Sequence, residues 1–431
     1  MLRCGVGAPI TVRSLPFHTE EFMRKISCAI LIAAGYSCSN EAQVTQPRQE
    51  HATVASEARY EVIKLPSLGG SQSRGMAINR QGWVAGWSNQ ADGTRRAVLW
   101  KNGVITSLGT LGGPSSAVPW IGLNDAGVVT GISHTNREDP LDEDWACELV
   151  GFLPQSTDLI CRGFVWQGGP LRELPTLGGN HGFATGINNA GQIVGWAETP
   201  LLDRTCSQSS AQKLRFRAVL YDLNGGSDEK IKPRVLIPYP GDATSAATAI
   251  NDDGLAVGIS GDCDQGVGRF SARHAVLWEN SGRVIEIPNL GGTSWHTPMD
   301  INGQGDVVGF SNPDEPGDEI GDFIARAFYW PYGAATATDL RTLPGDAVSE
   351  AFAINSHRQV VGISFGGTAG PRAFIWEGQD LVDLNDLVDI APDVLLSAQD
   401  INDAGQITGR VLDAATGQVM AFIANPVSNT P

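Results

Sequence analysis

After the N-terminal region this chain has no stretch rich in the Ala, Glu, Lys, Leu and Arg that build long helices, and no segment long and apolar enough to cross a bilayer as a mature helix. Basic charge is also scarce: 30 Lys and Arg stand against 47 Asp and Glu. Nucleic-acid binding needs cations to neutralise phosphates, so this balance argues against it, and acidity by itself serves solubility. No cysteines have C-x-x-C spacing, which argues against a structural zinc. H-E-x-x-H, the phosphate-cradling G-x-x-x-x-G-K-[ST] and the S-x-D-x-G-x-T-W box are all missing. The single G-x-S-x-G string, Gly362-Ile363-Ser364-Phe365-Gly366, ends a predicted strand with no helix behind it, which excludes a hydrolase elbow.

Glycine, by contrast, is abundant, with 52 residues, and much of it belongs to one phrase written seven times. The phrase reads I-N-R-Q-G-W-V-A-G from Ile78, L-N-D-A-G-V-V-T-G from Leu123 and I-N-N-A-G-Q-I-V-G from Ile187, and it returns at Ile250, Ile301, Ile354 and Ile401. Its asparagines fall at 79, 124, 188, 251, 302, 355 and 402. A period of this size marks one structural unit built repeatedly. In the first copy, Met76–Ile78, Trp83–Trp87, Arg96–Trp100 and Val104–Leu108 read as four short strands. Tight turns at Asn79–Gly82 and Lys101–Gly103 separate them, and Gly109–Gly113 leads onward. Four antiparallel strands per unit predict a propeller blade.

The third strand also recurs, as Arg96-Ala-Val-Leu-Trp, Arg162-Gly-Phe-Val-Trp, Arg217-Ala-Val-Leu-Tyr, His274-Ala-Val-Leu-Trp, Arg326-Ala-Phe-Tyr-Trp, Arg372-Ala-Phe-Ile-Trp and Met420-Ala-Phe-Ile-Ala. Leu-Gly-Gly recurs at Leu68, Leu111, Leu177 and Leu290. These phrases resemble the HAF-repeat family of predicted extracellular bacterial proteins, over about Tyr60 to Pro426. The resemblance implies export and a propeller-like fold, and it supplies no reaction and no catalytic residues. The last copy stops after its third strand, and an orphan strand, Tyr60–Leu65, precedes the first. Pairing the two would complete a seventh blade and remove two sheet edges. The fold expected is all-β: a seven-bladed β-propeller of four-stranded antiparallel blades, closed by the N-terminal strand.

Four regions follow: a targeting segment at 1–42, a flexible linker at 43–59, the propeller at 60–426 and a tail at 427–431. Met23-Arg24-Lys25 and the apolar Ile26–Ala34 form a signal peptide whose translation is expected to start at Met23. Its end, Ala34-Gly35-Tyr36-Ser37-Cys38-Ser39, resembles a lipoprotein signal, with Gly35 where Leu is usual; lipidation at Cys38 and ordinary cleavage nearby both remain open. The expected location is exported: extracellular, periplasmic or outer-membrane lipid-anchored. The even set Cys147, Cys161, Cys206 and Cys263 suits an oxidising compartment. Cys147 and Cys161 share one long connection, and Cys206 and Cys263 lie in equivalent connections of neighbouring blades, so these are the expected pairs.

First-to-second and third-to-fourth turns share one face of such a ring and are tight. The long connections Ser133–Cys161, Ala197–Phe216, Ser260–Arg273 and Ser311–Ala325 share the other, which is therefore the expected binding face. Asp314, Glu315, Asp318, Glu319 and Asp322 supply oxygens for calcium in no defined loop pattern; solvated acidic loops are the competing reading, and no other cofactor is expected. Trp120, Trp145, His181, Trp295 and His296 are candidates for a sugar platform, or else core packing. Trp100, Trp166, Trp278, Trp330 and Trp376 recur at one strand position and read as blade packing. The arginines before Ala or Gly, with His274, read as an anion crown or as bonds within each blade. Asp300 and Asp400 stand where other copies have Ala or Gly and are candidate channel-mouth carboxylates. Three functions are weighed: a non-enzymatic monomeric binding module for carbohydrate or an envelope protein, a carbohydrate-active hydrolase or lyase using such carboxylates, and a passive structural scaffold. Contact with a membrane is expected only through a lipid anchor.

Overall fold

The computed structural model describes residues 59–427 except 144–146, 148–152, 155–156, 225–230, 264–272, 294 and 316–322. Cys38, Trp145, Asp318, Glu319 and Asp322 thus lie outside the described residues, as do the targeting segment and nearly all of the linker. The described chain is all-β, with one 3₁₀ turn at Leu384–Leu387. Five sheets have four antiparallel strands each, and a sixth has eight. In the eight-stranded sheet, the first and last repeats meet at a single parallel pair, Gln72 with Val419. Tyr60–Lys64 pairs antiparallel with Val419–Pro426, from Tyr60 opposite Pro426 to Lys64 opposite Phe422.

The first strand of each repeat is longer than its sequence promises. In the first copy it runs Gly69–Ile78, because the Leu-Gly-Gly element pairs with the second strand, Gly69 lying opposite Gln90. Glycine is required there: a Cβ on Gly70 would stand 2.6 Å from the Asn89 carbonyl oxygen. A serine near the end of the second strand anchors the element, Leu68 N–H donating to Ser88 Oγ (2.9 Å) and Leu343 N–H to Ser364 Oγ (3.0 Å). A bulge follows, leaving residues such as Thr185 and Thr248 out of the ladder. Their hydroxyls cross to the next repeat, donating to the carbonyls of Ala247 (2.8 Å) and Pro298 (2.7 Å).

The seven asparagines do more than turn the chain. Each repeat's Asn side chain caps its own turn; the Asn251 Oδ1, for example, accepts the Leu255 N–H at 2.9 Å. Its Nδ2 donates to the backbone carbonyl of the next repeat's Asn. The series runs from Asn79 to Asn124, Asn188, Asn251, Asn302, Asn355 and Asn402, and Asn402 Nδ2 returns to Asn79 O at 2.9 Å. Only a side chain with both an acceptor and a donor serves both bonds, which explains Asn in every copy. A second tie joins the third-strand Ala N–H to a serine of the next repeat: Ala97 to Ser116, Ala218 to Ser245, Ala327 to Ser349, and Ala421 to Ser73 of the first repeat (2.9 Å). The core lies between adjacent repeats; Leu65, Val98 and Trp100 pack with Ala421, for instance.

Repeat 2 breaks the pattern. Its first strand ends at Ala117, and two extra residues carry Trp120 and Ile121 onward. Trp120 meets the Phe183 ring edge-on at 5.8 Å. Ile121 packs both on the core of repeats 1 and 2 and on the cluster holding Ala353 and Ala398 of repeats 6 and 7. One apolar side chain thus touches strands of repeats far apart in sequence. Both expected disulfides form, Cys147–Cys161 and Cys206–Cys263.

Candidate functional site

The sequence-predicted binding residues that are described are buried or half-buried. Trp295 is buried and meets the Phe323 ring edge-on at 4.9 Å. His296 is buried, its Nε2–H donating to Ile287 O at 2.7 Å, and burial lowers its pKa to about 4. Trp120 is half-buried and wedged against Phe183. These rings pack the blades, as one of the two sequence readings anticipated. The Arg/His positions of the third strand bond locally. Arg372 holds Asp346 and Asp383, Arg326 holds Glu315 and Asp339, and His274 holds Asp242. Of the calcium candidates, Asp314 and Glu315 are described and exposed, and Glu315 is already paired with Arg326.

Asp300 and Asp400 staple neighbouring repeats. Asp400 Oδ2 accepts the Ile78 N–H (2.7 Å) and its Oδ1 accepts the Ile401 N–H (2.8 Å). Asp300 does the same for Ile354 (2.9 Å) and Ile301 (2.8 Å). These amides face away from the second strand, and the carboxyls satisfy them. Burial, helped by the nearby Asp300, pushes Asp400 up to about 8, and burial pushes Asp300 up to about 6. A carboxyl that ionises later in the folded chain than in the unfolded one holds its proton through that interval. Its contribution to stability is complete below the unfolded value of about 4 and declines as pH rises toward the folded value. Stability is therefore expected to fall between about pH 4 and about pH 8, and Asp400→Asn to flatten the upper part of that fall. Urea midpoints across this range check it; an unchanged slope in the variant contradicts it.

Two buried polar clusters were not forecast as clusters, although His181 of the second was a candidate binding residue. Arg74, Glu350 and Arg410 come from repeats 1, 6 and 7 and are each nearly inaccessible. Burial raises Glu350 to about 7 despite Arg74 and Arg410 beside it, and burial lowers Arg410 to about 10. Arg410 bonds Ser397 Oγ at 3.1 Å. It occupies the column where other repeats carry Trp87, Ile132, Trp196, Ile259, Phe310 and Ile363, so aligning the repeats would have exposed it.

The second cluster joins repeats 2 and 3. His181 Nδ1 accepts the Cys161 N–H (3.1 Å), so its proton is on Nε2, which donates to Asp139 Oδ2 (3.1 Å). Burial alone would lower His181, but its bond to Asp139 and the charge of Glu198 raise it. Burial would raise Asp139, but His181 and the Glu143 N–H hold it near about 2. Glu198 is fully buried, its Oε2 taking the amides of Asn180 (3.0 Å) and His181 (2.7 Å), and burial raises it to about 7. Glu143 Oε1 takes the Leu214 amide at 2.6 Å. Two acids of the long Ser133–Cys161 connection therefore turn inward rather than meeting solvent.

The open concavity lies elsewhere. A cavity of about 800 Å³ opens among the tight turns, on the face opposite the long connections. Its lining comes from the turns of repeats 6 and 7 and from both ends of the described chain: Arg59, Tyr60, His357, Arg358, Trp376, Glu377, Asp403, Pro426 and Val427, with Tyr329 from repeat 5. Tyr329 and Trp376 lie 5.3 Å apart. Arg59 grips both oxygens of Glu377 at 3.0 Å, and Arg358 Nε bonds Asp306 at 2.7 Å. Asp403 Oδ1 takes the Ser356 N–H at 2.9 Å. Among the described residues, the cavity holds aromatic faces, cations and acids but no serine, threonine or cysteine.

Sheets and cavity together define an all-β, propeller-like protein with a concave polar and aromatic site. No family model and no curated protein matches the chain. Among solved structures, it is similar to virginiamycin B lyase from Staphylococcus aureus, at 11% identity over 85% of this chain and 100% of that one, with a TM-score of 0.48. It is also similar to the β-propeller domain of the Trilobed protease from Pyrococcus furiosus (8% identity, 82% of this chain, 94% of that one, TM-score 0.41). A third is TolB from Acinetobacter baumannii (12%, 80% and 80%, TM-score 0.37).

Proposed function

We propose that this chain is an exported, seven-bladed β-propeller, closed by the strand Tyr60–Lys64, that binds carbohydrate or an envelope protein without turnover. The cycle of asparagine bonds and the pairing of the first and last strands support the closed ring. The repeat phrases are read as those of the HAF-repeat family, Met23 as the start of the signal, and Cys38 as its lipidation or cleavage region. The two disulfides suit an oxidising compartment.

The observation that carries the binding function is the seam cavity, about 800 Å³ with Tyr329 and Trp376 on its wall. That volume falls in the usual range for small-ligand sites. Aromatic rings offer apolar faces to sugar C–H groups or to side chains, while Arg358, Gln359 and His357 supply hydrogen bonds. Its acids are occupied: Glu377 by Arg59 and Gln359, Asp403 by a backbone amide. A glycosidase needs one free acid and one free base or nucleophile flanking the bond, so binding fits better than hydrolysis. Asp300 and Asp400, the carboxylates of the enzymatic alternative, are likewise committed to amides.

A glycan array combined with a thermal-shift screen, with and without calcium, tests the reading. Binding without released product is expected, and His357→Ala, at an exposed lining residue, should weaken it about tenfold or more. Released product would select the enzymatic alternative, and undiminished binding by His357→Ala would move the site elsewhere.

A further inference from the structure

The cluster joining repeats 2 and 3 contains an arrangement that ring-building does not require. His134 lies on the strand Val129–Glu138, directly opposite Cys161 on the strand Leu159–Trp166. Cys147 comes back from the connection between those strands to bond Cys161. One ligand atom from each of His134, Cys147 and Cys161 lies within 4.8 Å of the others, and all three residues are buried. His134 is wholly inaccessible, and neither of its ring nitrogens has a hydrogen-bond partner among the described residues. A buried polar atom left unpaired costs on the order of 1–3 kcal/mol, and nothing in the propeller frame calls for one here. A fourth donor is adjacent: His181 Nδ1 stands 3.8 Å from Cys147 Sγ. The opposite nitrogen of His181 donates to the Asp139 carboxylate. Metal-ligating histidines are usually oriented by a carboxylate in this way. Two buried acids nearby, Glu143 and Glu198, each keep one oxygen without a partner.

We propose that His134, Cys147, Cys161 and His181 form a redox-gated site for a thiophilic divalent cation, zinc by ligand type. Two thiolates and two imidazoles match tetrahedral zinc. In the structure the two sulfurs are joined, so the site is closed. A dithiol reductant opens it: the reductant gives up two electrons and two protons, becomes a cyclic disulfide, and leaves Cys147 and Cys161 as thiols. Each thiol then releases its proton as its sulfur binds the cation. His181 exchanges the Cys161 amide for the metal, and His134 gains the partner it lacks. The long sequence interval between ligands hides the site from any spacing motif, because strand pairing and the next repeat, rather than a knuckle, bring them together.

Cobalt titration of the full chain reads this directly, since tetrahedral thiolate coordination gives intense visible bands and near-ultraviolet charge transfer. The reduced protein is expected to show both, in one equivalent displaced by zinc, and the oxidised protein neither. The spectrum should persist in a Cys206→Ser/Cys263→Ser variant and vanish in Cys147→Ser. Asp139→Asn should weaken metal binding roughly 10–100-fold while keeping the spectrum. X-ray absorption on the zinc-loaded wild type, expected to find two sulfur and two nitrogen ligands, covers the case in which a variant fails to fold. Absence of thiolate charge transfer in the reduced wild type, or a spectrum unaffected by His134→Ala, would overturn the proposal.

Discussion

Deleting Tyr60–Leu65 is expected to remove most of the stability of the fold, while deleting Glu41–Ala58 leaves the melting temperature unchanged. Tyr60 and Leu65 are both about 4% exposed. Burying a large side chain contributes about 1.5–3 kcal/mol, so these two alone supply a sizeable part of a total stability of about 5–15 kcal/mol. The backbone adds to this. Five residue pairs join the strand to Val419–Pro426, and the Leu65 N–H donates to Ala421 O at 2.8 Å. Lys64 sits between Asp393 and Asp413, holding the 3₁₀ side of repeat 7 to its end. Without the strand, Val419–Pro426 becomes an open edge able to pair with another chain. The shorter protein should therefore melt early and aggregate. Equal melting temperatures for the two truncations would refute the closure.

Asn251→Asp is expected to destabilise the protein by about 1–3 kcal/mol, although it exchanges only an amide for a carboxylate. The new side chain still accepts the Leu255 N–H, so the turn survives. It can no longer donate to Asn302 O, and an anionic oxygen now faces that carbonyl at the former 2.9 Å separation. The site is 5% exposed, so water offers little relief. The defect has a pH signature. A protonated carboxyl can donate again, so the folded-state pKa of the new group is raised, and the loss is present above about pH 4 and fades as pH falls toward it. Chemical denaturation of both proteins at neutral and acidic pH checks this. A difference independent of pH would mean that the donor bond between repeats contributes nothing.

The strands and the turns were legible because their determinants are local. Asn followed by Gly three residues later sets a turn wherever it occurs, and the third-strand Trp marks a position facing the preceding repeat. The second role of each Asn was not legible, since its Nδ2 meets a carbonyl 45 to 64 residues away, or 323 for Asn402. Leu-Gly-Gly reads as a connection because glycine disfavours strands; close passage over the second strand reverses that preference at Gly70. Trp295 and His296 look exposed because they sit in loops, yet both fold inward. Arg410 is visible only as a departure from its repeat column, and Glu198 stands in a column of mixed residues that marks nothing. The cavity arises where Arg59–Tyr60 and Pro426–Val427 meet turns of repeats 6 and 7, a meeting that no local pattern encodes.

We propose that ligand is held where Tyr60–Lys64 meets Val419–Pro426 rather than on the long-loop face. Hydrogen–deuterium exchange, with and without the best-bound glycan from the array, addresses it without any mutation. Protection confined to peptides carrying Arg59–Tyr60, His357–Gln359 and Asp403–Gly405 is the predicted result. Protection confined to the connections 133–161, 197–216, 260–273 and 311–325 would contradict it.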